Sequence, residues 1–136
     1  AAIRYNDCIC VDPKQDRSGA VLALRKVARE GLGHVVLVYP EGHRSRDGEV
    51  LPFRPAGLVA LLQERPLPVW TIVSDGLWKL RTLGDAFFAL GTVRCRMKAI
   101  GPVMSPEDPD ELPAFVEERR QILIRELARM REKATT

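Results

Sequence analysis

The chain has 136 residues, of which 46% are apolar and 29% are charged. This balance is typical of a soluble globular protein and excludes a disordered or collagen-like chain. The net charge of +3 suits an anionic partner without requiring one. The longest strongly apolar runs, such as Val35–Tyr39, are far shorter than the roughly 18 residues that a membrane span needs. We therefore expect residues 1–136 to form a single domain that does not cross a membrane.

The cysteines predict a reducing, cytoplasmic environment. Cys8 and Cys10 lie two positions apart, which on a strand places them on one face and disfavours a bond between them. With Cys95 they make an odd number, and no Cys-x-x-Cys or Cys/His cluster is present. We expect all of them to be small buried hydrophobes, and the sequence predicts no metal site and no bound cofactor.

The first half of the chain predicts strands that alternate with helices. Short apolar runs bounded by turn residues indicate strands, and apolar residues at helical spacing indicate helices. A serine suits the cap of the first helix, and a proline suits the first turn of the second. In chain order, the predicted elements are a strand at 7–11, a helix from about Ser18 to Glu30, a strand at 34–39, a polar loop at 40–52 and a helix beginning at Pro55.

The second half predicts two further strands and a long helix. Pro68–Val73 is a buried strand, and residues 92–98 alternate apolar with basic side chains. In this alternation Val93, Cys95 and Met97 are expected to face the core, and Arg94, Arg96 and Lys98 to face solvent. An apolar stripe predicts a C-terminal helix at about 112–133. The order of elements favours an α/β fold with a mostly parallel central sheet flanked by helices.

The loop after the second predicted strand carries the most chemistry. It reads Tyr39-Pro-Glu-Gly-His-Arg-Ser-Arg-Asp-Gly48. Arg44 and Arg46 offer planar forks for phosphate or carboxylate, and Ser45 adds a hydroxyl. Gly42 permits a tight turn, and Glu41 can orient a hydroxyl or hold an arginine. The alternative is a surface turn with solvated charges, and the chemistry of the residues leaves both interpretations open.

This loop, followed by Leu51-Pro-Phe-Arg54 and Gly57, resembles the Pro-Glu-Gly-Thr-Arg-Ser block of the glycerophospholipid acyltransferases, the lysophosphatidic acid acyltransferase family. The resemblance extends over roughly residues 7–105. Ile9-Cys-Val-Asp12 resembles the second block of the family, and Leu67-Pro-Val-Trp-Thr-Ile-Val73 resembles the fourth. Residues 93–103 resemble the strand and Gly-Pro turn that close the family domain.

The resemblance implies transfer of a fatty acyl group from acyl-CoA or acyl carrier protein to a lysophospholipid or glycerol phosphate, at the cytoplasmic face of a membrane. Arg44, helped by Lys14 or Arg17, would hold the acceptor phosphate. Glu41 and the Gly42 backbone would position its glycerol part, and His43 and Ser45 would line the site. The implied partners are therefore the acceptor, the thioester donor and an anionic membrane surface, with no nucleic acid.

The general base of the family is missing from its expected position. In the family it is the His of a His-x-x-x-x-Asp block that precedes the second block. His34 has no Asp five residues on, and His43 stands where the third block usually has Thr, with Asp47 one position too close. We expect the base upstream of Ala1, so this chain alone should be nearly inactive, because general-base catalysis is worth roughly 10²–10⁴-fold.

Two alternatives remain open from the sequence. The chain could be an inactive acyltransferase-like module that binds anionic lipid or a protein partner, with the basic stripe of residues 94–98 as its contact surface. Trp70 and Trp78 are expected to be core residues, with an acyl-chain tunnel as the alternative.

Overall fold

The computed structural model describes residues 17–29, 35–80, 82, 84 and 91–135, and within them the architecture is mixed α/β. Short 3₁₀ turns at Leu77–Lys79 and Pro109–Glu111 follow the first strand and precede the last helix. The described helices and strands are, in chain order, α1 (Arg17–Arg29), α2 (Pro55–Leu62), β1 (Pro68–Asp75), β2 (Arg96–Met104) and α3 (Leu112–Thr135).

The core lies between α2, α3 and one face of the sheet. Leu62, Leu112 and Phe115 form its centre, and Val73 and Val116 are fully buried beside them. Pro55 occupies the first turn of α2, where its missing N–H costs nothing, as the sequence predicted. The last helix spans Leu112–Thr135 where a helix at about 112–133 was predicted.

Helix α1 packs against α2 and begins one residue earlier than predicted. Arg17 is its first residue, so Ser18 lies inside the first turn instead of capping it. Ala28 is fully buried. Arg29 Nε donates to Glu64 Oε2 at 2.7 Å, and the hydrogen bond and charge of this carboxylate raise the pKa of Arg29 above its usual value. The contact ties the end of α1 to the residues after α2.

The sheet differs from the predicted one. Among the described residues it has two strands, β1 and β2, and they pair antiparallel, from Pro68 opposite Met104 to Asp75 opposite Arg96. Residues 35–39 carry no strand assignment, and the predicted strand at 7–11 lies outside the described residues. The mostly parallel sheet is therefore not seen in the described part: its antiparallel pair arises because the chain reverses after β1 and returns beside it.

The predicted faces of β2 are inverted. Directly opposite residues of an antiparallel pair share a face, and Lys98 lies opposite the buried Val73. Arg96 and Lys98 therefore face α3, where Lys98 pairs with Glu126. Met97 points to the outer face and is 65% exposed. The prediction that Met97 faces inward was wrong because Asp75 of β1 and Glu126 of α3 supply acidic partners on the opposite face, so Arg96 and Lys98 lie toward α3.

Two further burial predictions were wrong. Cys95 is exposed, because it precedes β2 in a segment without strand pairing. Trp70 is 55% exposed on the outer face of β1. Cys8 and Cys10 lie outside the described residues.

Candidate functional site

Residues 39–54, here called the candidate loop, are closed at their base by three hydrogen bonds. Gly42 N–H donates to the Tyr39 carbonyl at 3.1 Å, and Arg54 N–H donates to the Pro40 carbonyl at 2.7 Å. Leu51 N–H donates to Glu41 Oε2 at 2.8 Å. The sequence predicted that Glu41 would orient a hydroxyl or an arginine; in this structure one of its oxygens joins the two arms of the loop.

Gly42 adopts a backbone conformation that residues with a Cβ adopt only with strain. Its φ of +75° is in the left-handed region. A Cβ at this position would lie 3.1 Å from Arg54 Cδ, because the Arg54 side chain passes beneath the turn. The glycine thus allows the two arms to approach closely at the base of the candidate loop.

The tip of the candidate loop is held by its own side chains. Ser45 Oγ donates to Asp47 Oδ1 at 2.9 Å and accepts from Gly48 N–H at 2.9 Å. Glu49 N–H donates to Asp47 Oδ1 at 3.0 Å. This backbone bond, followed by the Ser45 hydroxyl, lowers the pKa of Asp47 below its usual value. The arginines on either side of Ser45 therefore leave the chain from a locally braced turn.

A pocket of about 340 Å³ opens between the tip of the candidate loop and the turn after β1. Arg44 and Arg46 are exposed on one side, and the half-buried Trp78 and Leu80 form the other. We call it the arginine–tryptophan pocket. A cavity that combines guanidinium forks with an indole and a leucine is suited to an anion that carries an apolar group.

A buried acidic residue lies behind this pocket. Asp75, at the end of β1, is only 7% exposed. Its carboxylate accepts from Arg96 Nη2 at 3.2 Å and from Arg131 Nη2 at 3.4 Å, and Trp78 also donates to it. Burial opposes ionisation, but the Arg131 charge and the hydrogen bonds from Arg131, Trp78 and Gly76 outweigh it and lower the pKa of Asp75.

The structure brings together part of the predicted site. Glu41, Gly42, His43, Arg44 and Ser45 share the candidate loop. His43 is exposed, and its Nδ1 lies 3.2 Å from the Glu41 carbonyl, a contact that requires the proton on Nδ1 and leaves Nε2 to solvent. The other two predicted residues, Lys14 and the side chain of Arg17, lie outside the described part of the chain.

Sequence reasoning missed Asp75 and Arg131, and it did not connect Trp78 with the arginines. The position of Arg131 in the sequence does indicate that it has a partner within the protein. It lies four residues after the buried Leu127, in phase with the apolar stripe of α3. An arginine in a stripe position has its charge directed toward the protein, which indicates an internal partner.

The described residues contain no group of three or more His, Cys, Asp or Glu side chains that could hold a metal ion. No helix in the described part of the chain is long and apolar enough to span a membrane.

Comparison with known protein families gives a match over the first part of the chain. The family model described as Acyltransferase matches residues 1–75, more than half of the chain. A search of curated proteins and a search of solved structures gave no significant match. The matched segment contains the candidate loop and β1, and it ends at Asp75.

Proposed function

Because the chain belongs to the acyltransferase family, we propose that it transfers a fatty acyl group from an acyl thioester to a hydroxyl of a lysophospholipid or glycerol phosphate, in phospholipid biosynthesis. The observation that carries the proposal is the arginine–tryptophan pocket within and beside the family-matched segment. Acyl-CoA or acyl carrier protein would supply the thioester, and the reaction would take place at the cytoplasmic face of a membrane.

The chemistry of the pocket supports an acceptor that carries a phosphate. Arg44 can offer two parallel N–H donors to phosphate oxygens, with Lys14 or Arg17 as a further cation. Trp78 and Leu80 would contact the apolar part of the acceptor or of the incoming acyl chain. Glu41 keeps one carboxylate oxygen beyond its bond to Leu51 N–H, and this oxygen would accept a hydrogen bond from the glycerol part.

The proposed reaction is a direct acyl transfer. A general base takes the proton from the acceptor hydroxyl, and the oxygen attacks the thioester carbonyl. The tetrahedral intermediate collapses, the C–S bond breaks, and the thiolate leaves and is protonated. The products are an ester and a free thiol. We place the base in a His-x-x-x-x-Asp segment upstream of Ala1, because neither His34 nor His43 has an Asp five residues on.

The decisive assay is thiol release from acyl-CoA in the presence of glycerol 3-phosphate or lysophosphatidate. We expect little release with residues 1–136 and roughly 10²–10⁴-fold more with a chain extended upstream to include that segment. No release above background in the extended chain, whichever donor and acceptor are supplied, would overturn the proposal.

Arg44→Ala in the extended chain tests the assignment of the acceptor site. Loss of a charge-assisted hydrogen bond costs about 1.5–3 kcal/mol, so we expect the acceptor KM to rise roughly 10–100-fold while the donor KM stays the same. Arg65→Ala, which removes an exposed arginine that does not line the pocket, is the matched control. An unchanged acceptor KM in Arg44→Ala would refute this role.

The alternative is an inactive module that binds anionic lipid or a protein partner. One observation weighs against the basic stripe as its contact surface, since Arg96 and Lys98 are engaged by Asp75 and Glu126. The alternative would gain support if the extended chain bound glycerol 3-phosphate but released no thiol.

A further inference from the structure

We propose that Arg131, on the C-terminal helix, is a positioning residue that holds the two walls of the arginine–tryptophan pocket at the separation needed to bind an anion. The inference depends on the proposed function in one respect: it assumes that the arginine–tryptophan pocket is the acceptor site. Arg131 lies well beyond residues 1–75, the segment that matches the family. The proposal therefore makes α3 a part of the site.

Arg131 is hydrogen-bonded to the tip of the candidate loop, which forms the wall of the pocket that carries Arg44 and Arg46. Its Nη2 donates to the Gly48 carbonyl at 2.6 Å, and its Nη1 donates to Glu49 Oε1 at 2.8 Å. The N–H of the same Gly48 donates to Ser45 Oγ. A displacement of Gly48 is thus passed through Ser45 to the backbone from which Arg44 and Arg46 extend.

The same guanidinium is also connected to the opposite wall, which Trp78 forms. Arg131 Nη2 lies 3.4 Å from Asp75 Oδ1, and Asp75 accepts a hydrogen bond from the Trp78 indole. Trp78 forms that wall of the pocket. One side chain from α3 therefore contacts both walls, directly at Gly48 and through Asp75 at Trp78.

A guanidinium suits this junction better than an ammonium. The planar fork of arginine presents several N–H groups in fixed directions, whereas lysine places a single charge on a flexible stem. Arg131→Lys can keep the attraction to Asp75 and Glu49, but it cannot satisfy the Gly48 carbonyl and both carboxylates with the same fixed geometry. The two walls would then be tied together less rigidly.

Binding of glycerol 3-phosphate tests the proposal without requiring catalysis. In a Trp70→Phe background, Trp78 is the remaining tryptophan and reports on the pocket by its fluorescence. We expect Arg131→Gln to raise the Kd about tenfold and Arg131→Lys to raise it by an intermediate factor. Arg129→Gln, which makes the same change on α3 at a side chain paired with Glu126, should leave the Kd unchanged.

The melting temperature and iodide quenching of Trp78 separate positioning from simple stabilisation. We expect Arg131→Lys, which keeps the charge and should fold, to expose Trp78 to iodide at temperatures where the protein is fully folded. Both Arg131 variants would overturn the proposal if they lowered the melting temperature but kept the Kd and quenching of the parent chain. Arg44→Gln separates the two proposals: an unchanged Kd there would refute the acceptor site itself.

Discussion

Gly48 is more tightly enclosed than Gly42, the other glycine of the candidate loop. It is buried, with a φ of +86°, and its carbonyl accepts from Arg131. A Cβ built there would lie 2.6 Å from Trp78 Nε1 and 2.8 Å from Arg131 Nη2. A side chain at this position would collide with both the indole and the guanidinium, so the position requires glycine.

Gly48→Ala should therefore destabilise the chain and disturb the pocket. The left-handed backbone costs roughly 1–2 kcal/mol for a residue with a Cβ, and displacement of Trp78 adds about 1–3 kcal/mol. Gly91→Ala is a matched control, since Gly91 has a φ of +89° and, among the described residues, no atom lies within 4 Å of a built Cβ. Urea unfolding of both variants isolates the contact with Trp78 and Arg131; equal losses would show that this contact is unimportant.

At the scale of the elements, α3 connects the core to the candidate loop. Leu112, Phe115 and Val116 bury its first turns against α2 and β1. Arg120 Nε donates to the Leu51 carbonyl at 3.1 Å, and Arg131 contacts Gly48 about three turns further along the helix. The helix therefore contacts the second half of the candidate loop at two residues, Leu51 and Gly48. Leu51 is also the residue whose N–H donates to Glu41.

The junction of β1 with α3 makes stability depend on pH. The pKa of Asp75 is lowered in the folded chain from its ordinary value of 3.8, so its stabilising contribution is present above about pH 4 and is lost as the pH falls through the folded pKa. Asp75→Asn should destabilise the chain by about 1–3 kcal/mol at pH 7, because Arg96 and Arg131 lose a charged acceptor.

Thermal unfolding between pH 3 and pH 7 measures this effect. The difference in melting temperature between the parent chain and Asp75→Asn should be largest at pH 7 and shrink as the pH falls below 4. Asp110→Asn, the same change at an exposed position, should give a small difference. A gap of constant size across the range would contradict the assignment of the pH dependence to Asp75.

For the molecule as a whole, the proposed reaction at a membrane requires that this chain, of net charge +3, contact a lipid surface. Beside β2, a cleft of about 250 Å³ is lined by Lys98, Glu126, Arg129, Met130 and Lys133. Glu126 offsets part of this charge by pairing with Lys98 and Arg129. Although Lys98 itself is held by Glu126, the basic side chains of the cleft outnumber its one carboxylate, so we expect this described surface to contact anionic lipid through Arg129 and Lys133.

Sedimentation with vesicles tests that expectation. The chain should bind phosphatidylglycerol vesicles at low salt and dissociate from them as the salt concentration is raised. It should not sediment with pure phosphatidylcholine vesicles. Lys133→Gln should weaken binding roughly fivefold, because each basic residue near an anionic surface contributes about 1 kcal/mol. Lys26→Gln removes the same charge from α1; an equal effect of both variants would show that net charge, and not this cleft, drives binding.

Local patterns predicted α1, α2, β1 and α3, because helical spacing and a proline at a first turn depend on residues within one segment. A continuous apolar run was a weaker guide, since it predicted β1 but also a strand at 34–39, where the described residues 35–39 form none. The motif of residues 39–48 likewise identified the acyltransferase family and the loop that carries Arg44 and Arg46. These features depend on residues close together in the chain, where backbone geometry restricts the outcome.

The tertiary structure alone decided which face of β2 is covered and what lies behind the pocket. An alternating strand has two faces, and its sequence does not determine which one meets a neighbour. Here antiparallel pairing with β1, together with Asp75 of β1 and Glu126 of α3, places Arg96 and Lys98 on the face toward α3. The junction of Asp75 with Arg131 joins residues 56 positions apart. Such contacts depend on how distant elements pack, and that is determined by burial of the whole core.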